Sequence, residues 1–254
     1  MQDMKKRGQV TIYVIVAIVI VGLVIIGVVF YPNLQSVFSG SFAPQDFLKT
    51  CIEKDLKSNV DLLATQGGYA NPEGFIVNQG VKIKYLCYAS GFYETCSVQQ
   101  PMIKNHFENE LNELVGTKVN DCVRQLKTEY ENRGYSVALS DIRNQVKIQP
   151  GKIVAEIEAP MTVTKEETST FNGFDVVIQS QMYDLLMISQ SIVDFESEFG
   201  DSETTLYLQY YPDLKIEKNK LGDGSTIYKV SNVVTEEEFT FASRSVAWPP
   251  GYGI

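Results

Sequence analysis

Histidine is almost absent from this sequence: His106 stands alone among 254 residues. That removes the commonest general base and the commonest zinc ligand from all but one position. No Cys-x-x-Cys pair replaces it, so a zinc site has no ligand pattern to rest on. No Gly-x-Ser-x-Gly, His-Glu-x-x-His or phosphate-loop pattern occurs, and no enzyme class announces itself. The Asn-x-Ser/Thr acceptor for N-linked glycans is missing throughout. From Ile12 to Tyr31 there is no charge at all.

Charge is unevenly spread over what remains. Lys5, Lys6 and Arg7 against Asp3 give residues 1–31 a balance of +2, and the net charge of −9 leaves −11 for the rest. So acidic a domain lacks the basic face that nucleic acid requires, and the excess serves solubility. His106, between Asn105 and Phe107, reads as a polar-face helix residue rather than a base. Glu166-Glu167, Asp201 with Glu203, and Glu236-Glu237-Glu238 read as solvated loop or strand-end residues. Asp223 in "LGDGS" marks a turn with too few oxygen ligands for calcium. The expectation is no enzyme, no cofactor, no metal and no nucleic-acid partner.

The uncharged run of 20 residues would span roughly 30 Å as a helix, the thickness of a bilayer core. Its richness in Val and Ile suits lipid better than water. Tyr13 and Tyr31 sit near its ends, where amphipathic rings favour the interface, and Pro32 supplies a stop. The run is too long for a conventional cleaved signal, and Ser41-Phe42-Ala43 comes too late to end one. Lys5, Lys6 and Arg7 beside the run place the N-terminus on the cytoplasmic side and the acidic bulk outside.

Lys5-Lys6-Arg7-Gly8-Gln9, followed by Val10-Thr11-Ile12-Tyr13 and the apolar run, resembles an archaeal class III signal peptide of type IV pilin-like precursors. The resemblance implies cleavage by a prepilin-type peptidase between Gly8 and Gln9, with the apolar stretch kept on the mature chain. It implies a helix that first sits in the membrane and then packs with copies of itself in a surface filament. The fifth residue after the cut is Tyr13, where many pilins carry a Glu that docks the subunit into the filament. A single-pass anchor presenting a binding or adhesion domain is the alternative.

Beyond the run, "NLQSVFSGSFAPQDF" reads as a linker. The organisation expected is a basic leader 1–8, an apolar helix 9–31, a linker 32–44 and an outward domain 45–254. Gly134 is a candidate boundary between a helical part 45–134 and a sheet part 135–254. Phe47, Leu48, Cys51, Ile52, Leu56, Val60 and Leu63 recur at helical steps, and Gly67-Gly68 stops them. After Pro101, Ile103, Phe107, Leu111, Leu114, Val115, Val119, Cys122, Val123 and Leu126 form a second stripe, which Gly116 could bend and Gly134 closes. "QVKIQPGKIVAEIEAPMTVT" alternates about Pro150-Gly151 as a hairpin, and "FDVVIQS" is a further strand. Leu185, Ile188, Ile192 and Phe195 mark another helix. "TLYLQYY", "LKIEK", "TIYKVSNVV" and "EFTFASRSV" read as strands, the first packed in a sheet. The fold class expected is α+β: the N-terminal transmembrane or assembly helix, an amphipathic helix pair, and a mainly antiparallel sheet with one further helix.

Cys51, Cys87, Cys96 and Cys122 would all lie outside, where disulfides form. Four cysteines allow three connectivities. Position favours Cys51–Cys122, on two helix faces expected to pack, and Cys87–Cys96, flanking the aromatic excursion "YASGFYET"; buried free thiols are the alternative for Cys51 and Cys122. The C-terminal "AWPPGYGI" does not suit regular structure; it reads as a disordered tip or as a docking segment, with Trp248 and Tyr252 as candidate contacts for a neighbouring subunit, the envelope or a host-cell surface. "FLKTCIEKDL", "LATQGGY", "CYASGFYETC" with Gln100-Pro101, and "DCVRQL" are similar to a set of archaeal proteins of small-genome, host-associated lineages with the same kind of N-terminus. That second resemblance spans most of residues 1–180 and implies a cell-membrane and cell-surface location.

Overall fold

A computed structural model describes residues 42–249. The leader residues Lys5, Lys6, Arg7, Gly8 and Gln9, the expected helix 9–31 and Tyr252 lie outside the described residues, as does nearly all of the linker. Among the described residues no helix is long and apolar enough to cross a membrane.

Helix α1 spans Pro44–Thr65 and buries Leu48, Ile52, Leu56, Val60 and Leu63, one apolar stripe. It ends where the Gly68 N–H reaches the Leu63 carbonyl at 2.8 Å, with Gly67 and Gly68 both at positive φ. A side chain on Gly67 would also meet the Lys84 Cβ at 2.8 Å. Helix α2 (Ile103–Asn132) buries Ile103, Phe107, Leu111, Val115, Val119, Cys122, Val123 and Leu126. It runs through Gly116 as one element and leaves Leu114 half-buried. Met102 at its start offers no side-chain cap. The Ile103 N–H instead finds Gln190 Oε1 of a later helix at 3.2 Å, an end satisfied by tertiary structure.

Two sheets flank these helices. In the first, β1 (Phe75–Asn78), β2 (Val81–Tyr88), β10 (Glu238–Arg244), β9 (Thr226–Asn232) and β8 (Leu214–Lys220) lie in that order, with the short β3 (Ser97–Val98) beside β2. The β2–β10 pair is parallel and the others are antiparallel. In the second, β6 (Lys152–Thr164) carries β7 (Thr168–Gln179) along one edge. β4 (Ser136–Leu139) and β5 (Arg143–Gln149) share its other edge. Gln149 and Lys152 pair across Pro150-Gly151, the hairpin the sequence indicates. The β6–β7 register shifts between Glu158 and Met161, where Pro160 has no N–H to give the ladder. Opposite that bulge, a Cβ on Gly173 would sit 2.6 Å from the Ile157 carbonyl oxygen. Only glycine fits there.

Helix α3 (Met182–Phe199) packs on β10 and β9, while α1 touches both β7 and β10 and α2 rests on β5. The helices thus join the two sheets, and residues from Pro44 onward form one compact unit. Gly134 closes α2 with φ 82°, and the chain continues into the same core rather than into a separate one. The Cys51–Cys122 disulfide links α1 to α2, and Cys87–Cys96 ties β2 to the segment before β3.

Four expectations need correction. "TLYLQYY" is not a packed strand: Thr205–Tyr210 forms a short helix, α4, with no buried residue. Its alternation, Leu206, Leu208, Tyr210, is too short to tell the two periods apart. Phe195 is 38% exposed, and the inward position next to it belongs to Glu196. β1 and β2, one at the edge of the first sheet and the other inside it, have no counterpart in the sequence reading. There are two sheets, not one, because α1–α3 present apolar surface on both sides.

Candidate functional site

A loop after β2 and the last described residues meet at one surface. Residues 88–96 form a loop closed by Cys87–Cys96, and residues 245–248 run alongside it. The Tyr93 N–H donates to the Ala247 carbonyl at 3.0 Å and the Val246 N–H to the Glu94 carbonyl at 2.8 Å. Ser245 Oγ accepts from the Cys96 N–H at 3.1 Å, and Glu94 Oε1 accepts from the Gly91 N–H at 2.8 Å. The pairing costs backbone strain: Tyr93 has φ 62° and Val246 φ 46°. A left-handed β-branched residue is rare and expensive, and such residues gather at ligand-contacting segments. Gly200 at φ 89° makes room, since a Cβ there would lie 2.4 Å from Val246 Cγ2.

What this scaffold presents is aromatic. Trp248 is 51% exposed and Tyr93 57%, with ring centroids 5.2 Å apart edge to face. Tyr88 and Phe92 are exposed beside them. Beneath these rings lies Arg244, itself nearly buried. Its Nη1 donates to the carbonyls of Ala89 and, at 3.1 Å, Gly91; its Nε donates to the Asp223 carbonyl at 3.1 Å. The guanidinium sits 5.3 Å from the Phe92 centroid and 5.9 Å from that of Tyr88. A cation satisfied by carbonyls and ring faces fixes the platform. Trp, Tyr and Arg on a rigid support are what binding hot spots are made of.

A buried polar network underlies the platform. Glu196 of α3, 2% exposed, accepts from Tyr228 Oη, from Ser243 Oγ at 2.5 Å and from the Ser202 N–H at 3.3 Å. Ser245 Oγ donates to the Glu196 carbonyl at 2.8 Å, so the same helix end holds the C-terminal segment. Burial, followed by the adjacent Glu196 carboxylate, pushes the Tyr228 phenol well above its ordinary range. The Tyr228 ring stacks on Phe241 at 5.1 Å. With both its oxygens engaged by buried donors, Glu196 is a structural anchor of the site.

The other sequence candidates are placed apart. His106 is not on an open polar face: its ring lies under Tyr69, centroids 4.0 Å apart, and Nε2 stands 3.9 Å from Glu110 Oε1. Burial lowers its pKa below the ordinary imidazole value. Asp201 pairs with Lys218 and Lys220, Glu238 with Lys229, and Glu203 accepts from Thr205. Glu166 and Glu167 are exposed at the β6–β7 turn. Asp223 accepts from the Ser225 N–H at 2.9 Å and from Ser225 Oγ at 3.0 Å, a turn bond. Among the described residues no group of three or more His, Cys, Asp or Glu is placed to hold a metal ion.

In the sequence Trp248 and the aromatic excursion stand out separately. Arg244 and the pairing of Tyr93 with Trp248 carry no local signal, because the contact joins segments 153 to 155 residues apart in sequence. No protein-family model, curated protein or solved structure matches this chain.

Proposed function

We propose that the chain is a pilin-like cell-surface subunit. In this reading a prepilin-type peptidase trims it between Gly8 and Gln9. The apolar helix 9–31 holds it in the membrane and then packs in a filament core, and the domain from Pro44 onward is displayed outside. The observation that carries the reading is a domain closed by two disulfides, which fits an oxidising environment, standing directly after a basic-flanked apolar run. Mechanical shearing of cells tests it: the mature chain is expected in the released fibres, and its retention wholly in the membrane fraction would sink the filament reading.

The aromatic platform favours a second reading, a membrane-anchored binding or adhesion domain that does not polymerise. Trp248, Tyr93 and Phe92 would then meet an envelope component or a host-cell surface. Trp248→Ala shows which contact the platform makes. If the platform serves an outside partner, the variant assembles or anchors normally but loses attachment to cells. If it serves a neighbouring subunit, fibre yield falls instead.

A further inference from the structure

A groove of about 660 Å³ lies between α2 and the β4–β5 connection. Asn120, Arg124 and Lys127, spaced four and three residues apart, line it from one face of the helix; Ser140, Asp141 and Arg143 line it from the other side. Three cations against one carboxylate invert the charge of a chain whose balance is −9. Lys127 has a loose partner in Glu131 at 3.6 Å. Arg124 and Arg143 are exposed, and among the described residues their side chains make neither an ion pair nor a hydrogen bond. Acids are within reach: Glu158 stands opposite Arg143 in the β5–β6 register, and Asp121 is on the same helix as Arg124. Neither pairs with its arginine. Two guanidinium forks are therefore left open at the same groove.

Guanidinium forks match the oxygens of a phosphate, which takes two parallel hydrogen bonds from each. Asp141 would oppose a bare anion but would accept a hydrogen bond from a hydroxyl. We infer that the groove binds a phosphate ester bearing free hydroxyls, with Arg124 and Arg143 on the phosphate and Asp141 on a hydroxyl of the organic part. Lys127 adds a point charge at the rim. The binding inference does not rest on the filament reading; only the disc comparison below rests on membrane insertion of the apolar N-terminal run. The inference applies equally to a soluble ester and to a lipid headgroup of the same chemistry.

The test is calorimetric titration of the full chain, held in nonionic detergent, with glycerol 1-phosphate. Saturable one-site binding is expected, weakened at least about tenfold in R124Q/R143Q, equivalent to about 1.4 kcal/mol. Both side chains are exposed and unbonded, so an unchanged melting temperature serves as the control for folding. D141A, which removes the acceptor, should keep inorganic phosphate binding and lose the preference for glycerol 1-phosphate over it. Repeating the titration in nanodiscs separates the sources. Weaker binding in phosphatidylglycerol discs than in phosphatidylcholine discs marks the headgroup as the occupant; equal binding marks a soluble ester. No saturable binding, or equal affinity in R124Q/R143Q, overturns the inference, and an unchanged preference in D141A overturns the role given to Asp141.

Discussion

Tyr93 and Trp248 meet edge to face at 5.2 Å, one from the disulfide-closed loop after β2 and the other from the last described residues. Both rings remain half exposed, so the contact orders a surface more than it fills a core. An edge-to-face pair contributes about 0.5–1.5 kcal/mol beyond burial. Trp248→Ala should therefore lower the melting temperature only slightly, about 2–4 °C per kcal/mol in a domain of this size. Its effect on attachment or fibre yield should be far larger than that shift. Calorimetry beside a cell-attachment assay checks the separation.

The two disulfides should differ in worth. Cys51–Cys122 closes a sequence separation of 71 and Cys87–Cys96 one of 9. Loop entropy gives about 4 kcal/mol for the first and about 3 kcal/mol for the second. Chemical denaturation of C51S/C122S and C87S/C96S is expected to follow that order. The second variant should in addition lose the exposed aromatic surface, seen as a change in Trp248 fluorescence in the native state.

Glu196→Ala would leave Tyr228 Oη, Ser243 Oγ and the Ser202 N–H without an acceptor in the core. At about 1–3 kcal/mol for each stranded group, the loss should exceed 3 kcal/mol. Glu196→Gln, which keeps one acceptor oxygen, should cost less. The network also has an alkaline signature. Tyr228 stays protonated in the fold, while in the unfolded chain it ionises near pH 10. Its contribution is thus present below about pH 10 and is lost as pH rises above it. Tyr69, Tyr85 and Tyr130, also raised by burial, add to the same slope. The slope of melting temperature against pH above pH 10 should be shallower in Tyr228→Phe.

His106 gives the opposite sign on the acid side. Burial depresses its pKa in the fold, so the unfolded chain takes up the proton first as pH falls. Its contribution is present above about pH 6.5 and is lost below that value. Because the chain has no other histidine, one imidazole signal reports it. An NMR titration should place its midpoint below 6.5, and His106→Asn should flatten the decline in stability between about pH 6.5 and 5.

Helices α1 and α2 were legible because long stripes such as Leu48–Leu63 and Ile103–Leu126 have a period no strand can mimic. The Pro150-Gly151 hairpin was legible for the same reason at period two. Shorter or mixed signals failed. β2 carries Lys82 and Lys84 amid its apolar residues, because only part of it is buried inside the first sheet. Leu206, Leu208 and Tyr210 satisfied both periods at once. Glu196 looked like a surface acid on α3, and only Tyr228 and Ser243, brought in by β9 and β10, make its burial affordable. The platform was half legible: Cys87, Cys96 and the aromatic residues between them mark the loop, but nothing local ties it to Arg244 or Trp248.

The N-terminal residue of the native protein tests most directly the proposal of a processed, pilin-like surface protein. Mass spectrometry of the mature chain should find Gln9, the leader through Gly8 having been removed. An intact Met1 on the native protein would contradict the account.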